Sequence, residues 1–164
     1  MVKEFYSSIE EKINGLGFKI VSKDLDRPWG AFFVIKENQA QLFSNHFFRG
    51  IPISEFKISG KLSPKILIVN PNARLSWQYH NRRAEIWQVW KGEVGVRRSF
   101  TDKEGTTRFY SAGDQIRLIQ GERHRLIGSD DYAVVAEIWQ HTDAVPSDEK
   151  DLVRITDDYK RDER

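Results

Sequence analysis

Apolar positions recur at helical spacing in two stretches of the first fifty residues. Within residues 4–14, Phe5, Ile9 and Ile13 fall on one side of a helix, among Glu and Lys. A glycine follows directly and provides a natural stop. Residues 37–48 carry a second apolar side. Each pattern predicts a short amphipathic helix.

The pattern changes elsewhere to short β-rich runs separated by Gly, Pro and polar turn residues. Many short strands with polar turns are typical of a sandwich or a closed barrel. The sequence therefore predicts an all-β fold that carries an N-terminal helix and one helical insertion. The predicted strands cover residues 18–21, 31–35, 65–69, 75–79, 86–90, 95–99, 107–110, 115–119 and 134–139.

The length of 164 residues suits one domain. Within it we distinguish an N-terminal extension (1–26), an insertion (36–63), a core (64–141) and a charged C-terminal tail (148–164). Residues 160–164 of that tail have no apolar side chain to bury, so we expect them to be mobile.

Composition narrows the possible functions. Lys and Arg number 26 against 24 Asp and Glu, and they are scattered, so we expect no nucleic-acid partner. No apolar run reaches the roughly 18 residues that cross a membrane, and the N-terminus lacks a signal core, so we expect a cytoplasmic protein without a membrane partner. Cysteine is absent, so any metal must use nitrogen and oxygen ligands.

Four side chains offer such ligands. Strand alternation over residues 75–80 places Gln78 and His80 on one face. A turn can return Glu85 beside His80, and the turn before His124 can fold over the same cavity. Imidazole nitrogen and carboxylate oxygen suit divalent ions, so the four residues form a candidate metal shell.

The spacing of these ligands resembles the two motifs of the cupins, which are double-stranded β-helix or jelly-roll barrels. Gln78-x-His80-x4-Glu85-x6-Gly92 is similar to the first motif, with Gln78 in place of its first histidine. The run from Gly113 through Gly121 and His124 is similar to the second. Asn72 stands where the first motif has glycine, and asparagine is the next best residue at positive φ.

Within the cupins, the chain resembles the C-terminal domain of type II phosphomannose isomerases. The resemblance covers about residues 27–35 and 64–161. Its most specific part is the Gln-x-His-x-x-Arg-Ala-Glu-x-Trp run. The matching segments are RPWG (27–30), VNPNARLSWQYHNRRAEIW (69–87), GERHRL (121–126), DLVR (151–154) and DYKR (158–161).

This resemblance implies a metal-dependent isomerase that interconverts mannose 6-phosphate and fructose 6-phosphate. The metal would be held by Gln78, His80, Glu85 and His124; zinc is the first expectation, and manganese, iron or nickel suit the same ligands. The implied catalytic residues are Arg83 and Lys65, and the candidate substrate-binding residues are Arg125, Arg154 and Tyr159.

Blander interpretations stay open for several of these residues. Arg83 is also compatible with a solvated turn, Lys65 with a solvated strand end, and Arg125 and Arg154 with structural salt bridges. We assign the tryptophans to core packing. No residue type or spacing identifies the proton-transfer base.

Three functions compete at this point. The first is the isomerase, and the second is a non-catalytic metal-bearing cupin that binds a sugar or sugar phosphate. The third is a metal oxygenase or decarboxylase, because one fold hosts many chemistries. We expect a homodimer, in which a second copy covers an exposed barrel edge and the N-terminal helix.

Overall fold

Eleven strands and three helices make up the computed structural model, which describes residues 2–159. The helices are α1 (Val2–Gly15), α2 (Ala40–Phe47) and α3 (Ile53–Phe56). The strands are β1 (Ile20–Arg27), β2 (Gly30–Ile35), β3 (Lys65–Val69), β4 (Trp77–Tyr79), β5 (Arg83–Lys91), β6 (Glu93–Ser99), β7 (Arg108–Ser111), β8 (Gln115–Leu118), β9 (Arg123–Gly128), β10 (Ala133–His141) and β11 (Val153–Thr156).

The strands form two antiparallel sheets. One has six strands in the order β1-β2-β3-β10-β5-β8, and the other has five in the order β11-β4-β9-β6-β7. Apolar residues from both sheets pack into one cluster, which includes Leu67, Trp87 and Val135 from the first sheet and Val96 and Leu126 from the second. The sheets therefore enclose a common interior, and the predicted all-β barrel is confirmed.

A second apolar layer covers the outer face of the six-stranded sheet. Along β10, Val135 points into the barrel, whereas Val134, Ala136 and Ile138 belong to a cluster that includes helical residues. Strands buried on both faces read as continuous apolar runs. Helices α1 and α2 supply Ile9, Ile13, Phe43 and Phe47 to this outer layer. The N-terminal helix and the helical insertion are thus both confirmed.

Several elements differ from the sequence-based prediction. Helix α3 was not predicted, and β1 extends to Arg27 instead of ending at residue 21. Strand β9 was not predicted either, and His124 is its second residue. Strand β11 lies in the predicted charged tail and pairs with β4 through Arg154 and Gln78. Residues 160–164, which we predicted to be mobile, lie outside the described residues.

The backbone conformation explains the residue type at two positions. Asn72 has a φ of 59°, so the asparagine occupies the left-handed conformation that its position was predicted to need. Gly30 has a φ of 153°, and a Cβ there would lie 1.9 Å from the carbonyl oxygen of Ile68. Only glycine therefore lets β2 approach β3 at this point.

The apolar side of α1 is buried within its own chain. Tyr6, Ile9 and Ile13 all pack in the outer layer, so they offer no surface to a second copy. The homodimer stays a prediction. None of the helices within residues 2–159 has the length and apolarity needed to cross a bilayer.

Candidate metal centre

Three buried side chains from three strands converge inside the barrel. His80 follows β4, Glu85 lies on β5 and His124 lies on β9. The Nε2 atom of His80 is 3.0 Å from Oε1 of Glu85, and Nε2 of His124 is 3.8 Å from Oε2 of the same carboxylate. One ligand atom from each residue lies within 4.8 Å of the others, so the group can hold a metal ion.

Backbone carbonyls orient both imidazole rings. Nδ1 of His80 lies 2.7 Å from the carbonyl oxygen of Asp151, and Nδ1 of His124 lies 3.0 Å from that of Glu122. Since a carbonyl only accepts, each Nδ1 must carry the hydrogen, which turns the lone pair of a neutral ring to Nε2. Each histidine therefore presents a ligand atom to the interior.

The Nε2 atom of His124 is a buried polar atom without a partner. No hydrogen bond reaches it from any residue between 2 and 159. Burial lowers the pKa of His124 to about 4, against the opposing effect of Glu85, so the ring is neutral at pH 7. A buried lone pair of this kind costs free energy unless something occupies it.

The donor set fits a divalent ion. Two ligand atoms that each lie about 2.1 Å from one ion are about 3.0–3.4 Å apart. The separation of 3.0 Å between His80 and Glu85 falls in this range, and the 3.8 Å between His124 and Glu85 is longer. Burial raises the pKa of Glu85, but His80 and Arg83 outweigh it and hold that pKa well below its usual value. Gln78 is the cross-strand partner of His124, and its Oε1 accepts only from Ser76 at 2.9 Å among the bonds described for it.

Arg83 lies within this group. Its Nε donates to Oε1 of Glu85 at 3.0 Å, and one terminal nitrogen lies 3.2 Å from Nε2 of His80. Its guanidinium also stacks over Trp139, 3.6 Å from the ring centroid. The side chain is buried, not solvated at a turn. A positive charge therefore already contacts two of the candidate ligand atoms.

The centre opens into a cavity of about 130 Å³. Lys65 lines it and is only 5% exposed, which excludes the alternative interpretation of Lys65 as a solvated residue at a strand end. Its ammonium lies 2.6 Å from Glu149 and over the rings of Phe32 and Trp139. The charged and ligand-bearing lining residues are Arg27, Lys65, Gln78, His80, Arg83, Glu85, Glu137, Glu149 and Arg154.

Glu137 is a buried carboxylate on the cavity wall. Oε2 accepts the indole N–H of Trp87 at 2.8 Å, and Oε1 accepts that of Trp139 at 2.8 Å. Burial raises the pKa of Glu137 to about 8, and the nearby charge of Glu85 adds to the rise. The two tryptophans assigned to packing thus also fix the orientation of a carboxylate.

The segment from Ser147 to Arg154 closes one side of the cavity. The carboxylate of Asp151 accepts the backbone N–H of Asn81 at 3.0 Å and of Arg82 at 2.9 Å. Glu149 and Leu152 line the cavity beyond this anchor. The C-terminal part of the chain therefore belongs to the site.

The structure does not bring all predicted site residues together. Arg125 is fully buried, and its guanidinium donates to the carbonyl oxygens of Leu75 and Thr156 and to Glu104. Neither Arg125 nor Tyr159 is among the residues that line the cavity, whereas Arg154 lines it. Arg125 thus joins the segment before β4, the loop between β6 and β7, and the end of β11.

Sequence reasoning missed three charged residues of the cavity, namely Arg27, Glu137 and Glu149. Glu137 interrupts an otherwise apolar strand, and a charge in such a run is a signal of a buried functional or paired group. Arg27 opens the RPWG segment but was not considered as a site residue. Its Nε is buried and forms an ion pair with Oδ2 of Asp24 at 3.2 Å, and its side chain lines the cavity.

No family model and no curated protein matches this chain. Among solved structures, CapF is 12% identical with a TM-score of 0.56, over 81% of this chain and 33% of that chain. CENP-C of Drosophila melanogaster, bound to CAL1, is 12% identical with a TM-score of 0.52, over 73% and 76%. A Cupin 2 conserved barrel domain protein from Salinispora arenicola CNS-205 is 22% identical with a TM-score of 0.42, over 48% and 62%.

The two sheets enclose a common interior that the motif residues face, and the likenesses to CapF and CENP-C agree with this arrangement. The chain has a cupin fold. It spans 62% of the Salinispora protein and 46% of an oxalate oxidase structure, so it matches only part of the length of these proteins. Likenesses at such low identity concern the fold alone.

Proposed function

We propose that this cupin is a metal-dependent aldose–ketose isomerase of a sugar phosphate, of the mannose 6-phosphate to fructose 6-phosphate type. One observation carries the proposal. Gln78, His80, Arg83 and Glu85, which form the most specific part of the resemblance to type II phosphomannose isomerases, line one cavity together with Lys65. A role at the protein surface would not require these residues to line a common cavity, as they do here.

The charges of the cavity favour a phosphate-bearing ligand. Arg27, Lys65, Arg83 and Arg154 line it, against the carboxylates of Glu85, Glu137 and Glu149. Because burial raises the pKa of Glu137 to about 8, that carboxyl is largely protonated at neutral pH. Arg27 is half-buried and Arg154 is exposed, and their Nε atoms lie 3.2 and 3.9 Å from the carboxylates of Asp24 and Asp157. Guanidinium groups at such accessible positions suit the capture of an anion.

Each polar group has a defined part in the proposed reaction. Gln78, His80, Glu85 and His124 would hold the ion, which supplies Lewis-acid polarisation of a sugar oxygen when bound. Arg83 lies beside these ligands and would donate to the oxygen that gains negative charge as the proton moves between adjacent carbons. The segment from Ser147 to Arg154 shields the cavity from water.

A non-catalytic, metal-bearing cupin that binds a sugar or sugar phosphate is the second candidate. The cavity of about 130 Å³ is smaller than the roughly 300–1,000 Å³ of common ligand sites, so entry of a hexose phosphate requires movement of the closing segment. This alternative predicts saturable binding without turnover. Its specific support is the small volume of the cavity.

Formation of fructose 6-phosphate from mannose 6-phosphate by the metal-reconstituted protein tests the proposal. We expect turnover that is lost on chelation and in His80→Ala, which removes a candidate ligand. His46→Ala is the matched control, because His46 is an exposed histidine of α2 outside the cavity. Stoichiometric metal with phosphosugar binding but no turnover would favour the second candidate.

A further inference from the structure

Aldose–ketose isomerisation needs a group that takes a proton from one carbon and returns it to the next. This inference rests on the proposed function. Three carboxylates line the cavity, namely Glu85, Glu137 and Glu149. Glu85 contacts both histidines and Arg83, which commits it to the candidate metal centre. Glu149 has a 58% exposed side chain and is paired with Lys65.

Glu137 differs from both in how it is held. Each of its oxygens accepts one indole N–H at 2.8 Å, from Trp87 and Trp139. A carboxylate oxygen has two lone pairs, so each oxygen keeps one for another partner. Indoles are neutral donors, so they fix the direction of the carboxylate without supplying a full charge that would suppress its basicity.

The surroundings of Glu137 connect it to the rest of the cavity. The ring of Trp87 lies edge to face with His124, with centroids 5.5 Å apart, and Trp139 lies under the guanidinium of Arg83. Lys65 is the cross-strand partner of Glu137 on β3. One indole ring thus separates the carboxylate from His124 on one side, and a second indole ring separates it from Arg83 on the other.

We propose that Glu137 is the catalytic acid–base of the isomerisation. Its carboxylate takes the proton from C2 of the aldose as the C2–H bond breaks. The electron pair of that bond forms the C1–C2 double bond, and the carbonyl pair moves to O1, which receives the proton that O2 gives up. The electron pair left on O2 then forms the C2 carbonyl, and the double-bond pair takes the proton back from Glu137 at C1, giving the ketose.

The acidity of Glu137 agrees with this role. Burial raises its pKa to about 8, and general acid–base groups work best when their pKa lies near the working pH. The group can therefore both accept and return a proton under neutral conditions.

Glu137→Gln tests the proposal against a matched control. The amide keeps the shape but turns one accepting oxygen into a donor that faces an indole. Glu37→Gln creates the same mismatch outside the cavity, because the oxygens of Glu37 accept the backbone N–H of Leu62 and Ser63 at 2.9 and 2.8 Å. Both variants are compared with wild type for kcat, for deuterium uptake at C1 and C2 of the sugar in D₂O, for bound metal and for melting temperature.

We expect Glu137→Gln to lower kcat at least about 100-fold and to abolish deuterium uptake, with bound metal retained, because a positioned acid–base group contributes about 10²–10⁴-fold. Glu37→Gln should turn over at the wild-type rate. If Glu137→Gln does not fold, Glu137→Asp decides by the same measurements, with kcat expected to fall in the folded, metal-loaded protein. If the wild type is active and the kcat of the folded Glu137 variants lies within threefold of the wild-type value, the role of Glu137 alone is overturned. A metal-loaded wild type without turnover or deuterium uptake would overturn the isomerase as well.

Discussion

Replacement of Arg83 by methionine removes the positive charge that lies against Glu85. Methionine keeps an unbranched apolar stem over Trp139, so the change acts mainly on the charge and its hydrogen bonds. In the wild type the guanidinium also donates to Oγ of Ser147 at 2.9 Å and to the carbonyl oxygen of Asp148 at 3.0 Å. The variant leaves a buried carboxylate beside two histidines.

The loss of stability can be bounded from this environment. Removing one partner of a buried ion pair costs about 3–5 kcal/mol. Glu85 can limit the loss by taking up a proton, which costs about 3–4 kcal/mol at pH 7 for a carboxyl with an ordinary pKa. For a chain of this length each kcal/mol shifts the melting temperature by about 2–4 °C. We therefore expect metal-free Arg83→Met to melt about 6–16 °C below the wild type.

Metal binding should change in the opposite direction. The guanidinium contacts Oε1 of Glu85 and Nε2 of His80, so in the wild type it opposes a dication at the same atoms. Without it, zinc should bind at least tenfold more tightly, which corresponds to about 1.4 kcal/mol. Zinc should then raise the melting temperature of the variant more than that of the wild type.

The assay is calorimetric titration of chelator-stripped protein with zinc, together with melting curves at fixed zinc. Arg125→Met is the matched control, because Arg125 is also a buried arginine but lies outside the cavity. It should lower stability and leave zinc affinity unchanged. A folded Arg83→Met protein that binds zinc no more tightly than the wild type would refute the view that Arg83 opposes the metal.

Three further outcomes follow from single features of the structure. His124→Ala should lower zinc affinity at least about 10-fold, as measured by the same titration, because it removes the buried Nε2 that has no protein partner among residues 2–159. Gly30→Ala should abolish the folded circular dichroism signal, because its Cβ would lie 1.9 Å from the carbonyl oxygen of Ile68; a cooperative melt like that of the wild type would contradict this. Burial raises the pKa of Glu137 from its usual 4.5 to about 8, so between these values the folded state holds a proton that the unfolded chain has released. The stability of the metal-free wild type should therefore fall as pH rises through that window. The melting temperature of Glu137→Gln should rise relative to that of the metal-free wild type between pH 5 and 9. A difference in melting temperature that stays constant with pH would contradict the assignment.

The sequence predicted some elements closely because local and tertiary preferences agree there. Strand β3 was predicted with its observed bounds, Lys65–Val69, since its apolar residues are buried on both faces of the sheet. The positive φ of Asn72 was also predicted, because the motif position asks for a residue that tolerates it. Gln78 and His80 share a face because strand alternation fixes their direction.

Other parts depended on contacts that no local pattern encodes. Strand β9 begins with three polar residues, Arg123, His124 and Arg125. The burial of His124 and Arg125 comes from the neighbouring strands and not from their own preference. Lys65 is buried because Phe32 and Trp139 cover its ammonium from other strands. The place of Glu137 in the site could not be predicted, because it depends on which indole N–H groups face its carboxylate in the folded chain.

The anchor between Asp151 and His80 also bears on the order in which the protein folds. The carbonyl that fixes the imidazole lies 71 residues beyond it in sequence, and the carboxylate of Asp151 holds the backbone that follows His80. Closing a loop of that length has an entropic cost that earlier contacts must first offset. We expect the imidazole to gain its fixed direction late in refolding, so tight zinc uptake should lag behind the burial of the barrel tryptophans.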